Sequence, residues 1–143
     1  MTNYNSCGSV MEMNRTIKFR ALDEVNKEWV YGSYVVINNG IEVVECIWEL
    51  NSTRATPIDS STLGEYTGLK DKNGVEIYEG DILRLLNSEV LCEVYYEAPS
   101  FCRRWLNSKV SNVRGVEMES MAHNTHIAYE VIGNIYEHKH LIS

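Results

Sequence analysis

The residues best suited to chemistry lie in one basic segment of an acidic chain. Between Pro99 and Val116 there are four basic residues and no carboxylate, although the formal net charge of the 143 residues is −7. Guanidinium groups bind phosphate oxygens through paired hydrogen bonds, and an aromatic ring beside them can stack on a base. The segment therefore predicts a site for a small anion, a nucleotide or an acidic partner, formed by Arg103, Arg104, Trp105, Lys109 and Arg114, with Phe101 as a second ring. The alternative is an exposed loop whose arginines pair with surrounding acids.

Two pairs of histidines have spacings that occur in metal sites. His123 and His126 are three residues apart, and His138 and His140 are two apart. Such pairs share one face of a helical turn or of a strand. No third ligand lies nearby in the sequence, so we expect surface histidines and predict no metal and no other cofactor.

The acidic residues do not form a recognisable catalytic pattern. Five carboxylates fall within residues 65–81, at predicted turns where such side chains serve solubility and bond to the backbone: Glu65, Asp71, Glu76, Glu79 and Asp81. The sequence contains no nucleophile-elbow motif and no phosphate-binding glycine motif. We therefore predict a protein without catalytic residues that is not an enzyme.

Four cysteines occur without any Cys-x-x-Cys spacing, which predicts free thiols. Cys46 and Cys92 lie in apolar runs and are expected in the core, whereas Cys7 lies in a polar leader and Cys102 in the basic segment.

The stretch from Leu63 to Leu86 organises the chain. Its four glycines separate residues typical of β-strands. Asn73 and Gly74 predict a hairpin with a two-residue type I′ turn, which needs positive φ at both positions. A second turn is predicted at Glu79-Gly80-Asp81. Closely spaced reversals of this kind predict an all-β or mainly β fold with at most one short helix, namely a small barrel or roll built from hairpins.

Alternating residues predict further strands. In the first, residues 17, 19 and 21 form the apolar face, and Lys18 and Arg20 lie on the other. The second, residues 29–37, is interrupted by a bulge at Gly32-Ser33 and is followed by a turn at residues 38–40. Residues 41–50 form a third strand, whose more apolar side (Glu42, Val44, Cys46, Trp48 and Leu50) should face inward.

The remaining segments of the chain have less regular residue patterns. Residues 51–61 are predicted to be a loop, because Pro57 cannot donate to a central sheet ladder. Strands are predicted at residues 89–96 and 129–136, the latter with a bulge at Gly133-Asn134. For residues 99–116, the apolar spacing suits a helix and the polar composition an irregular strand, and both remain open.

Composition limits the classes of partner. A chain of this length forms one domain with an ordinary core. Its negative charge repels a phosphate backbone, so generic duplex nucleic acid is an unlikely partner. The longest apolar runs are too short to cross a bilayer, and no signal peptide is apparent, so we expect a cytoplasmic protein.

Three stretches resemble the YopX family of phage and prophage proteins: residues 64–82 (GEYTGLKDKNGVEIYEGDI), residues 17–21 (IKFRA) and residues 129–137 (YEVIGNIYE). The resemblance implies a phage or prophage product in the cytoplasm of a bacterial host, with a compact β fold related to SH3-type barrels. It implies no reaction. The predicted organisation is a flexible arm at residues 1–12, a YopX-like domain at residues 13–138 and a tail at residues 139–143.

Together these observations predict a non-enzymatic accessory protein that binds a host protein or a small nucleotide. The resemblance to phage proteins implies a role in host takeover or defence evasion. Exposed strand edges favour a homo-oligomer. One alternative is a nucleic-acid-binding module, a role common among SH3-like barrels. The other is a metal-dependent hydrolase or nuclease with its metal at His123 and His126.

Overall fold

The protein folds into antiparallel β-sheets. A computed structural model describes residues 16–106, 118–120 and 128–142. The strands in these ranges are β1 (Phe19–Asp23), β2 (Trp29–Asn38), β3 (Val43–Glu49), β4 (Ala55–Lys70), β5 (Glu76–Tyr78), β6 (Asp81–Leu85), β7 (Leu91–Glu97), β8 (Ser100–Trp105), β9 (Met118–Ser120) and β10 (Tyr129–Asn134). A 3-10 turn follows at Lys139–Leu141. The predicted mainly β class is confirmed, although the strands form two separate sheets and not one closed barrel. Within the described ranges, no helix has the length and apolar character needed to cross a membrane.

The first sheet has the order β1-β2-β3-β4-β5, and an additional pairing between β1 and β4 folds it back on itself. Its core consists of Ala21, Val30, Ile47 and Ile58, one residue from each of the first four strands. Residues that are distant in sequence therefore share one small apolar centre.

The second sheet has the order β10-β6-β7-β8-β9. Its core contains Leu83, Cys92, Val94 and Tyr129, together with Ile77 from β5 of the first sheet. Because β5 contributes to this core, the short segment between the two turns joins the sheets. The strand has a bulge, but earlier than the predicted Gly133-Asn134: the register with β6 shifts between Val131 and Gly133, whereas Gly133 and Asn134 pair regularly with Ile82 and Asp81.

The hairpin at Asn73-Gly74 is confirmed, but the predicted turn type is wrong. Gly74 has φ +80°, whereas Asn73 does not have positive φ. The N–H of Gly74 donates to Asp71 O at 3.0 Å, and that of Asp71 to Val75 O at 2.8 Å. This is a three-residue loop with glycine in the left-handed position. The Asp71 carboxylate favours it by accepting the N–H groups of Asn73 and Val75 at 2.8 and 2.9 Å.

Two predictions about the first sheet are wrong. The pairing of β2 with β3 continues without a shift from Gly32 to Asn38, so there is no bulge at Gly32-Ser33. Gly32 is needed because a Cβ there would lie 2.0 Å from the carbonyl oxygen of Trp48. Residues 55–61 belong to β4, where Pro57 pairs with Cys46.

The predicted inward side of the third strand is also only partly correct. Cys46 is buried, but Trp48 and Leu50 are exposed, and Ile47 from the opposite set is fully buried in the first core. The reason is that β1 and β4 cover the Ile47 side, whereas alternation alone does not tell which side a neighbouring strand will cover.

Candidate functional site

A buried ion pair lies where the two sheets meet. Arg20 of β1 donates from Nη2 to Asp81 Oδ1 of β6 at 2.7 Å. Both residues are buried, with 7% and 1% of their surface exposed. The second carboxylate oxygen of Asp81 accepts the N–H of Tyr78 at 2.8 Å. Arg20 was predicted on the polar face of a half-buried strand, and this expectation is wrong because the second sheet covers that face.

Aromatic rings enclose the Arg20 guanidinium. Its Cζ lies 4.4 Å from the Trp29 ring centroid and 4.8 Å from that of Tyr78. Rings at these distances stabilise a desolvated cation through their negative faces. Burial raises the pKa of Asp81, while Arg20 and the Tyr78 N–H act in the opposite direction. Burial likewise raises the pKa of the Tyr78 phenol. The group is an electrostatic joint between sheets: Arg20 Nη2 and both carboxylate oxygens of Asp81 are hydrogen-bonded, whereas Arg20 Nε is buried without a hydrogen-bond partner among the described residues.

The neighbouring carboxylates of the central stretch also have structural partners. Glu76 forms an ion pair with Lys18 at 2.7 Å. Glu79 accepts the N–H of Glu65 at 2.9 Å. Asp71 accepts the N–H of Val131 in β10 at 2.8 Å. Backbone bonding was predicted for these side chains, but the burial of Asp71 and Asp81 was not.

The basic segment is only partly described. Arg103, Arg104 and Trp105 lie on β8, so the first part of residues 99–116 is a strand. Lys109 and Arg114, the other members of the predicted anion site, lie outside the described residues.

The two arginines of β8 point to opposite faces of the strand, as successive residues do. Arg103 is buried, with its guanidinium 4.5 Å from the Tyr129 ring centroid. Arg104 is half-buried, with its guanidinium 4.0 Å from the ring centroid of Tyr95. Trp105 packs against the second core. The described part of the predicted site therefore offers one arginine on each face, and its role in ligand binding stays a prediction.

The predicted metal ligands do not converge where the structure describes them. His123 and His126 lie outside the described residues. The rings of His138 and His140 are 6.0 Å apart, and His138 Nδ1 accepts the N–H of Asn134 at 3.1 Å. Within the described ranges, no three His, Cys, Asp or Glu side chains are grouped as metal ligands. The predicted burial of Cys46 and Cys92 is confirmed, and Cys102 is buried too.

The β2–β3 hairpin carries several of the exposed hydrophobic side chains of the described residues. Beyond Gly32, β2 pairs only with β3 among the described strands, and β4 joins β3 only from Cys46 onward. Residues 33–45 therefore form a hairpin that extends beyond these pairings and is held at its base by Tyr34 on the first core and by Glu45, which accepts from Ser60; we call them the β2–β3 arm. Four of its large hydrophobic side chains are exposed: Val36 (54%), Ile37 (40%), Ile41 (94%) and Val43 (62%).

An apolar groove lies at the base of the β2–β3 arm. It has a volume of about 310 Å³ and is lined by residues that include Ile17, Tyr31, Trp48 and Leu50. The Trp48 indole N–H donates to Ser52 O at 2.8 Å, so its polar group is satisfied while its ring is 44% exposed. Sequence reasoning did not identify this surface. The available signal was the absence of charge from Ser33 to Ile41.

These features define a class: a small antiparallel β protein of two sheets, joined by buried charge and carrying an exposed apolar arm. The chain belongs to the YopX family, since the family model described as YopX protein matches residues 18–143. Membership suggests a phage-type protein of unclear function. The resemblance seen in the sequence is thereby confirmed.

The fold is shared with a solved structure of another protein. The crystal structure of protein EF1440 from Enterococcus faecalis aligns with a TM-score of 0.53 at 24% sequence identity, covering 91% of this chain and 100% of that one. At this identity the likeness concerns the fold alone. No curated protein matches the chain.

Proposed function

We propose that this chain is a phage or prophage accessory protein that acts by binding a protein partner through the β2–β3 arm and the groove at its base, and not by catalysis. The observation that carries the proposal is the concentration of exposed apolar surface. Of the eleven large hydrophobic residues exposed in the described ranges, seven lie between Tyr31 and Leu50. Exposed apolar surface concentrated in one part of a protein is typical of interaction sites.

The chemistry of the surface also suits a protein partner. Trp and Tyr side chains with a satisfied polar group and an exposed ring are frequent energetic centres of interfaces. Trp48 meets this description at the groove, and Tyr31 adds a second exposed ring, which packs edge-on against Tyr78 with ring centroids 5.6 Å apart. The neutral stretch 33–41 removes the cost of desolvating charge on association.

The absence of catalysis is proposed from how the charged residues are used. The charged side chains around the sheet junction have partners inside the protein: Arg20 pairs with Asp81, Lys18 with Glu76, and Glu137 accepts the indole N–H of Trp29. Groups held in this way contribute to cohesion, and Lys18, which also lines the apolar groove, is already paired with Glu76.

Photo-cross-linking in a bacterial host tests the proposal. A photoreactive phenylalanine analogue is placed at Ile41 and, as a matched control on another exposed turn, at Val75. We expect discrete cross-linked products from position 41 that are absent from position 75. Equal labelling at both positions, or none at 41, contradicts binding through the arm.

Small-anion binding at Arg104 is a second candidate function. Its Nε is shielded from solvent and has no hydrogen-bond partner among the described residues, while the guanidinium lies over the Tyr95 ring at 4.0 Å from its centroid. Calorimetric titration with inorganic phosphate and nucleotides tests it. Heat that is lost in Arg104→Gln but kept in Arg54→Gln supports the site, and no heat with the unmodified chain excludes it.

A further inference from the structure

The outer edge of the β2–β3 arm presents a backbone ladder without a described partner. The pairing between β1 and β2 ends at Phe19 with Gly32, and β2 then continues through six more residues, Ser33–Asn38. Across this stretch, β3 occupies one edge of β2. Among the described residues no strand occupies the other edge.

Such an edge is a template for another strand, and proteins that keep one exposed protect it with lysine, proline, charge or a bulge. The segment Ser33–Ile41 contains none of the first three, and the register with β3 is regular. The edge of β2 at Ser33–Asn38 therefore lacks these protective features and is suited to pairing with another strand.

We propose that the edge pairs with the same edge of a second copy of this chain, β2 against β2, antiparallel about a twofold axis. The proposal rests on the proposed binding function of the arm and names its partner. A twofold axis makes one surface self-complementary, and an antiparallel strand edge satisfies this geometry without further adaptation. In a register of six residues, about six backbone hydrogen bonds would join the copies.

Charge limits where a second copy of this chain can approach. Two chains that each carry −7 repel one another over most of their surface. Residues 33–41 carry no charge, so two copies can meet there without this repulsion. The exposed Val36 and Ile37 lie on opposite faces of the strand. Pairing thus extends the apolar surface of the arm on both faces of the joined ribbon, next to the groove of each copy.

Sedimentation velocity on the full chain tests the proposal. We expect a dimer of twice the 16.4 kDa chain mass at micromolar concentration. The double variant Val36→Lys/Ile37→Lys places like charges near the twofold axis and should raise the dissociation constant at least tenfold. The matched control Val75→Lys, which also replaces an exposed valine, should leave the dimer unchanged.

Hydrogen exchange separates lost pairing from lost folding. In the dimer the amides of residues 33–38 that face outward should be protected, and in the double variant they should exchange fast while residues 46–49 keep their protection. A monomer at 100 μM, or a dimer that survives the double substitution, overturns the proposal. A monomer with residues 33–38 protected shows that the same chain covers the edge and overturns it as well.

The outcomes distinguish this inference from the proposed function. If the unmodified chain is monomeric but still gives products from position 41 of a mass other than the dimer, the arm binds a different protein and only the self-pairing is wrong. If neither assay responds to the arm, both are wrong.

Discussion

Replacing Arg20 by methionine should reveal how much the joint between the sheets contributes to stability. The substitution leaves the carboxylate of Asp81, 1% exposed, without its cationic partner. Removing one member of a buried pair costs about 3–5 kcal/mol. For a chain of this size about 1 kcal/mol lowers Tm by roughly 3–4 °C, so we expect a decrease on the order of 10–20 °C.

Urea unfolding followed by tryptophan fluorescence measures this loss, since Trp29 lies directly on the Arg20 guanidinium. The variant Arg20→Met/Asp81→Leu removes both charges and should recover much of the stability. Lys18→Met is the matched control, because the Lys18–Glu76 pair is partly exposed and should be worth about 0–1 kcal/mol. Two results would contradict this account of the Arg20–Asp81 pair. One is a free energy of unfolding of Arg20→Met within about 1 kcal/mol of that of the unmodified protein. The other is a double variant that is no more stable than Arg20→Met.

Three further predictions concern the turns and the acid range. Asp71→Ala removes bonds to the hairpin loop and to β10 and should cost about 2–4 kcal/mol in urea unfolding, with Asp71→Asn in between; a neutral result would refute the role of the carboxylate. Gly80→Ala should destabilise more than Gly68→Ala, because both have positive φ but only at Gly80 would a Cβ meet a ring, that of Tyr136 at 2.7 Å; thermal melts that rank them equally would contradict this. Hydrogen bonding from Lys72, with the charge of Arg84, lowers the pKa of Glu130 below 4.5, so its stabilisation is present above that pH and is lost as pH falls through the lower folded-state pKa. Glu130→Gln should therefore weaken the pH dependence of Tm in this range, and parallel curves for the two proteins would argue against it.

Local signals in the sequence predicted the features that depend on local geometry. The reversal at Asn73-Gly74 and the turn at Gly80 require positive φ, and glycine identifies such positions. The turn type at Asn73 was wrong because the Asp71 side chain bonds to Asn73 and Val75 and favours a three-residue loop. A side chain outside the dipeptide thus decided its conformation.

Features that depend on pairing between distant strands could not be predicted in this way. Arg20 alternates with apolar neighbours, which is typical of a solvent face, and its partner Asp81 lies 61 residues away. Pro57 is tolerated in β4, which begins only two residues before it. Trp48 is exposed and Ile47 is buried because β1 and β4 cover the Ile47 side of β3. The alternation of residues along a strand does not tell which of its two sides will be covered.

The position of β10 has a consequence for how the protein is made. The last strand of the first sheet ends at Tyr78. In the second sheet, β6 lies between β7 and β10, and β10 is the last of the described strands in the sequence. Asp71 likewise obtains its bond to Val131 from a residue 60 positions later. During synthesis from the N-terminus, one edge of β6 therefore remains unpaired and accessible to other strands until β10 has left the ribosome. The second sheet is completed last.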